Sequence, residues 1–224
     1  MKRASKAAVA GPIRAVVFDV GETLVDETRP WGEWADWLGI PRLTLFGVLG
    51  GVIARGQEHG GVFDVLRPGL DIRAESARRR AETASTWVNA TDLYPDALPA
   101  IAALRDAGFL VGIAGNQPRE TEQVIASLGL TLDLVASSDG LGVAKPDPGF
   151  FERIADELQL PASSIAYVGD RIDNDVIPAT AAGMFAVFIR RGPWAYIQAL
   201  EGLPDGTIEI GSLLDLVGVL PRPA

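Results

Sequence analysis

Two textures of apolar and polar residues divide this chain. Residues 13–18, IRAVVF, form a short apolar, β-branched run that ends at Asp19-Val20-Gly21. Such a run, closed by a turn, predicts a strand buried in a parallel sheet. From Pro30 to about Val88 the spacing becomes helical. Trp31, Trp34, Trp37 and Leu38 recur with helical period behind Pro30, which suits a first helical turn. Leu43, Phe46, Leu49, Val52 and Ile53 predict a second helix, and the charged stretch 73–88 a third. No strand pattern interrupts this block.

After Tyr94-Pro95 the two periods alternate. Helices are predicted over 96–107, 118–128, 147–158 and 173–182, and strands over 109–114, 132–137, 165–168 and 185–189. Strands alternating with helices of this length imply βαβ units, an α/β class and a doubly wound parallel sheet. In such sheets ligands bind beyond the carboxyl ends of the strands. There is no internal repeat and no low-complexity tract.

Composition narrows the function classes. The chain has 224 residues, 48% of them hydrophobic, which suits one core or one core with a small insertion. Its net charge of −9 disfavours nucleic acid as a partner. No run of about eighteen uncharged apolar residues predicts a membrane span. The basic start, MKRASKAAVAGP, lacks the apolar core of a signal peptide and reads as a frayed terminus. The absence of Cys excludes disulfides, thiolate metal sites and Cys nucleophiles, and fits a reducing, cytoplasmic setting.

Chemistry concentrates at the strand ends. The first strand ends in Asp19, the strand at 109–114 in Gly115-Asn116, and the strand at 165–168 in Gly169-Asp170, followed by Asp173 and Asp175. Lys145 sits in the loop 142–148 that opens the next helix. It is the only lysine beyond Lys2 and Lys6, against seventeen arginines. One Asp after a strand is ordinarily a turn or cap residue. A parallel sheet brings all of these ends to one edge, where several carboxylates repel each other unless a cation shares them. Hard oxygen ligands of that kind suit Mg²⁺.

The ordered combination resembles a known family. FDVGETL at 18–24, GVAKPDPGFF at 142–151 and VGDRIDNDVIPATAAGM at 168–184 are similar to the first, third and fourth motifs of haloacid-dehalogenase-superfamily hydrolases. LYPDALPAIAALRDAGFLVGIAGNQ at 93–117 resembles the approach to the second motif. The likeness covers roughly residues 12–26 and 92–193. It implies a Rossmann-like core over 1–26 and 92–224, with an inserted helical cap over 27–91. It further implies a phosphatase for a small phosphorylated metabolite, in which Asp19 is the nucleophile and forms an aspartyl-phosphate. Mg²⁺ would be held by Asp19, the main-chain carbonyl of Gly21 and Asp170, with Asp175 close by. Lys145 would hold nucleophile and phosphate together, and Gly115 and Asn116 would lie in the phosphate cradle. The implied assembly is a monomer or homodimer.

The sequence departs from the family pattern at two places. Gly21 stands where phosphatases of the family carry a second Asp, the general acid and base. Gly115 stands where they carry Ser or Thr. Glu22, three residues after Asp19, is a candidate substitute acid, although a solvated or structural Glu is the simpler reading; failing that, the acid would come from the cap. Two alternatives follow: a binding or regulatory protein without turnover, and a 2-haloacid dehalogenase, whose halide leaves without a proton. A phosphonate hydrolase requires a cap lysine, which this chain lacks, and a phosphomutase requires the acid missing at Gly21. Among the remaining residues, the Trp31, Trp34, Trp37 stripe reads as cap core, His59 as an exposed helix-end residue, and Arg78-Arg79-Arg80 as a solvated helix face.

Overall fold

A computed structural model describes residues 12–83 and 86–221. The basic start of the chain and residues 84 and 85, near the end of the third predicted helix, lie outside the described residues. Six parallel strands form one sheet: β1 (Ala15–Phe18), β2 (Leu110–Gly115), β3 (Leu134–Ser137), β4 (Ile165–Gly169), β5 (Phe185–Ile189) and β6 (Ile208–Ile210). Their order is β3-β2-β1-β4-β5-β6, so β1 is flanked by β2 and β4. Phe18 lies opposite Ile113 on one side and Val168 on the other. The chain moves outward in one direction after β1 and in the other after β3. The carboxyl ends of β1 and β4 therefore flank the switch point, where an open α/β sheet leaves its crevice.

The apolar runs are continuous because both faces of the sheet are covered. Val16, Phe18, Val111, Ile113 and Val168 pack on α5 (Ala97–Asp106) through Ala100, Ile101 and Leu104. After β2 come α6 (Glu120–Ser127), α7 (Ser138–Leu141) and α8 (Pro148–Leu158), and Ala15, Val17, Ile165 and Tyr167 face the other way, onto α8 through Phe150, Phe151 and Ile154. The segment between β1 and β2 holds α1 (Thr28–Trp37), α2 (Arg42–Ile53), α3 (Gly61–Leu66) and α4 (Ile72–Thr83). Among the described residues it contains no strand. It has its own core, in which Trp31, Trp34, Leu45, Leu49 and Phe63 meet Trp194. Trp194 belongs to α10 (Gly192–Gln198), which lies after β5. The entering and leaving linkers pair: Val25 bridges Leu93, and Tyr94 N–H donates to the Leu24 carbonyl at 2.9 Å. Among the described residues no single helix is long and apolar enough to cross a membrane.

Elements with few residues escaped the periodicity. β6 has three residues and α3 six, too short for either period to register. The helix predicted over 173–182 begins instead as a π-helical turn, Ile172–Val176, and continues as α9 (Ile177–Ala181). The arginine run also differs from expectation. Arg79 is buried, its guanidinium 4.5 Å from the Trp34 ring centroid and bonded to Glu33.

Phe151 is fully buried and edge-on to both Phe150 and Tyr167. Phe151→Ala is expected to lower unfolding free energy by about 3–5 kcal/mol. Leu43→Ala, at a side chain that is 84% exposed, should change it by less than about 0.5 kcal/mol. Urea unfolding of the two variants checks the assignment of the core.

Candidate active site

Asp19 leaves β1 with its N–H donated to the Val168 carbonyl of β4 at 2.9 Å. The chain then turns tightly, with Leu24 and Val25 N–H both reaching the Val20 carbonyl at 3.0 Å. Glu22 has a left-handed backbone, φ 51°, which a non-glycine residue adopts only where its surroundings hold it. Its side chain supplies that hold. Oε2 accepts from the Tyr94 hydroxyl at 2.6 Å, and Oε1 from the Glu27 N–H at 3.0 Å. Glu22 is thus a buried brace of the turn, with both oxygens engaged, and burial raises its pKa. Of the three readings the sequence leaves open for it, substitute acid, solvated and structural, this geometry fits the structural one.

Lys145 is the electrostatic centre. Its ammonium donates to Asp19 Oδ1 at 2.7 Å and Asp175 Oδ1 at 2.5 Å. The backbone that carries it is clamped by Asn116, whose side chain accepts from Lys145 N–H at 2.8 Å and donates to its carbonyl at 2.9 Å. Just beyond, Asp147 caps α8 through Gly149 N–H, and Pro148 occupies its first turn. Asp175 Oδ2 accepts from Arg171 N–H at 3.0 Å, a geometry that the π-helical turn provides. The Asp175 carboxylate packs so closely on Gly169 that a Cβ there would lie 2.2 Å from Oδ2. A Cβ on Gly115 would likewise lie 2.7 Å from Asp19 Oδ1. Both strand ends therefore need glycine in this arrangement.

Asp19, Asp170 and Asp175 each place one carboxylate oxygen within 4.8 Å of the others, and all three are buried. Asp170 Oδ2 is buried without a hydrogen-bond partner. Burial, then the charges of Asp175 and Asp19, drive the Asp170 pKa well up. Burial raises Asp175 to about 6 against the pull of Lys145. Burial disfavours the charged form of Lys145, but Asp175 and Asp19 outweigh it and hold its pKa well above the ordinary value. One ammonium does not satisfy three carboxylates, and the orphaned oxygen of Asp170 is the remainder. An unpaired buried acceptor in a carboxylate cluster suits a hard cation.

A cavity of about 100 Å³ opens onto these groups, the share of roughly three water molecules at ~30 Å³ each. Gly21, Asn116 and Gln117 line it on the core side, and Glu27, Glu58 and His59 on the side of the helical segment. The sequence-expected residues thus converge: Asp19, Gly21, Asn116, Lys145 and Asp170 border one cavity, with Gly115 beside Asp19 and Asp175 behind Lys145. His59 is exposed as expected, but stands at this rim with its ring edge-on to Trp31 at 5.6 Å.

Two residues of the site were missed by sequence reasoning. Arg171 stacks over Trp194 at 3.8 Å and ties Glu58 to Asp173, linking helical segment and core. Its place beside Asp170 was a usable signal. Glu27, in the run Glu27-Thr28-Arg29 before Pro30, carried none. Its carboxylate accepts from Trp87 Nε1 at 2.9 Å and Trp31 Nε1 at 3.2 Å. Burial and the Glu22 charge push its pKa up to about 7.

The chain is thus a doubly wound α/β protein with an acidic cluster and a buried lysine at its switch point and a helical segment inserted after the first strand. The family description "haloacid dehalogenase-like hydrolase" matches residues 13–183, and the chain belongs to that family. It is 35% identical over 136 residues to a glyceraldehyde 3-phosphate phosphatase of Methanopyrus kandleri. That alignment covers 58% of each chain, so this chain spans little more than half the length of that relative. A glyceraldehyde 3-phosphate phosphatase of Pyrococcus furiosus is 26% identical over 94% of each chain. The crystal structure of a haloacid-dehalogenase-superfamily hydrolase from Geobacter sulfurreducens has the same fold, with a TM-score of 0.67 and 17% identity. It covers 96% of this chain and 100% of its own.

Lys145→Met would leave Asp19 and Asp175 without their shared cation, a loss of about 3–5 kcal/mol for a buried pair. The cost should depend on pH. Burial raises the folded pKa of Asp175 to about 6 even beside Lys145, and losing the lysine raises it further, so the repulsion is weak at low pH and grows as pH rises above that value. Thermal denaturation in chelator should therefore show a larger loss of Tm at pH 8 than at pH 5. Equal losses at both pH values contradict this electrostatic role.

Proposed function

We propose that this chain is a Mg²⁺-dependent phosphatase for a small phosphorylated metabolite, acting through an aspartyl-phosphate. The observation that carries the reading is the oxygen cluster around Lys145. Asp19, the buried unpartnered Asp170 and Asp175 gather within 4.8 Å at the switch point of the sheet. The phosphatases among the relatives support a phosphate ester as substrate, and the small cavity supports a small one.

Asp19, the main-chain carbonyl of Gly21 and Asp170 would hold Mg²⁺, with Asp175 as a direct or water-bridged neighbour. The ion would neutralise the charge of the transferring phosphoryl group. The carboxylate of Asp19 is the nucleophile. Lys145 fixes its free rotation through Oδ1 and offers positive charge to the phosphoryl oxygens. Asp175 orients Lys145 from behind, and Asn116 fixes the main chain that carries it. Main-chain N–H groups after β2, at Asn116 and Gln117, form the phosphate cradle. Residues 27–91 act as a cap over a core of 1–26 and 92–224, with the Arg171–Glu58 pair as a latch between them. A 2-haloacid dehalogenase fits less well, because halide displacement gives the buried Asp170 carboxylate no task.

Wild-type protein should hydrolyse aryl phosphates with Mg²⁺ and lose this activity in excess chelator, and Asp19→Asn should fall to background. Mg²⁺ at about one hundred times its Kd should stabilise the wild type by about 2.7 kcal/mol in thermal denaturation. Asp170→Asn should remove most of that increment. Full activity in chelator would overturn the metal-dependent reading and favour the dehalogenase.

A further inference from the structure

A phosphate ester of an ordinary alcohol does not leave easily as an alkoxide. A side chain that delivers a proton to the departing oxygen typically contributes about 10²–10⁴-fold. Gly21 provides no such group. Glu22 lies in the lining too, but its two oxygens are bound to Tyr94 and to the Glu27 main chain, and its stem lies against Gly192. Of the other carboxyls on the cavity, Asp170 belongs to the acidic cluster and Glu58 is paired with Arg171, which leaves Glu27. A Cβ built on Gly21 would lie 2.5 Å from Glu27 Oε1 and 2.9 Å from its Cδ. The Glu27 carboxyl therefore fills the volume into which a side chain at residue 21 would grow, two residues beyond the nucleophile.

The surroundings of Glu27 suit proton transfer better than structural pairing. Its carboxylate accepts from two indole N–H groups, on Trp87 and Trp31, whose rings meet edge-on at 5.3 Å. Indoles are donors only, so they aim the carboxyl without taking a proton from it. Among the described residues, Glu27 forms no salt bridge. The two indole N–H groups, one to each oxygen, hold the Glu27 carboxyl at the wall of an already acidic cavity, where no cation pairs it.

We infer that Glu27, supplied by the start of the helical insertion, is the general acid and base of this site. The inference rests on the phosphatase reading above. In the first half-reaction Asp19 forms a bond to phosphorus as the ester P–O bond breaks, and the Glu27 carboxyl gives its proton to the departing alcohol oxygen. In the second, Glu27 takes a proton from water as the water oxygen bonds to phosphorus and the Asp19–phosphorus bond breaks. Inorganic phosphate leaves, and Glu27 is again protonated. The insertion thus contributes catalysis as well as enclosure, and a side chain at residue 21 would displace the Glu27 carboxyl from its place.

Pre-steady-state kinetics with an aryl and an alkyl phosphate test this. Glu27→Gln should reduce steady-state turnover of both by about 10²–10⁴-fold. With the aryl ester it should still release a burst of phenol stoichiometric with enzyme, because that leaving group departs unaided and the aspartyl-phosphate then waits for an activated water. The alkyl ester should give no burst. Gly21→Asp alone should be impaired by the collision, whereas Gly21→Asp with Glu27→Ala should recover alkyl-ester turnover relative to Glu27→Ala. Loss without an aryl burst would show that Glu27 only supports the fold. Undiminished turnover in Glu27→Gln, or no recovery in the double variant, would also overturn the assignment. A wild type inert to every ester would overturn the phosphatase reading and this inference with it.

Discussion

Negative charge packed at the carboxyl edge of the sheet is the constraint on which this structure turns. Three buried carboxylates stand within 4.8 Å, and one lysine lies between two of them. Charges of like sign in a dry site are tolerated only when their partners are fixed. The surroundings provide that fixity. Asn116 grips the Lys145 main chain on both sides, the π-helical turn gives Asp175 an Arg171 N–H, and Gly169 and Gly115 leave room for carboxylates where side chains would collide. The strand order makes the edge available by placing the topological switch point at the paired strands β1 and β4.

The helical insertion completes the site instead of merely covering it. Its core is continuous with Trp194 of the sheet domain, and Arg171 beside Asp170 reaches across to Glu58. The linkers that enter and leave it pair at Val25 and Leu93, while Arg191 donates to the Thr23 carbonyl and to Asp96 at the same neck. A segment held this way brings Glu27 to a defined place beside Gly21. Glycine in the turn and glutamate at the mouth of the insertion are two halves of one arrangement.

Much of this was legible in the sequence because the signals were local. Runs such as Val16–Phe18 and Ile165–Val168, buried on both faces, announce parallel strands, and the polar residue that ends each run marks the functional edge. The scarcity of lysine singled out Lys145. What escaped depends on distances between segments remote in sequence. Nothing in the spacing of Glu27 and Gly21 shows that a carboxyl folds back into the space of a missing side chain. Glu22 lies nearer to Asp19 in sequence, yet its left-handed backbone turns its oxygens toward Tyr94 and the Glu27 main chain. The charge of its neighbours suggests a solvated Arg79, but its position over Trp34 buries it. Short elements such as β6 are fixed by pairing with β5 and leave almost no periodic trace.

The central claim is that Asp19 carries the phosphoryl group during turnover. Rapid acid quench of the wild-type enzyme turning over a labelled aryl phosphate, followed by peptide mapping, tests it most directly. Acid-stable label is expected on the peptide that contains Asp19, lost on alkaline treatment and absent from Asp19→Asn. Turnover that proceeds with no label on that peptide, or with label on another residue, would contradict it.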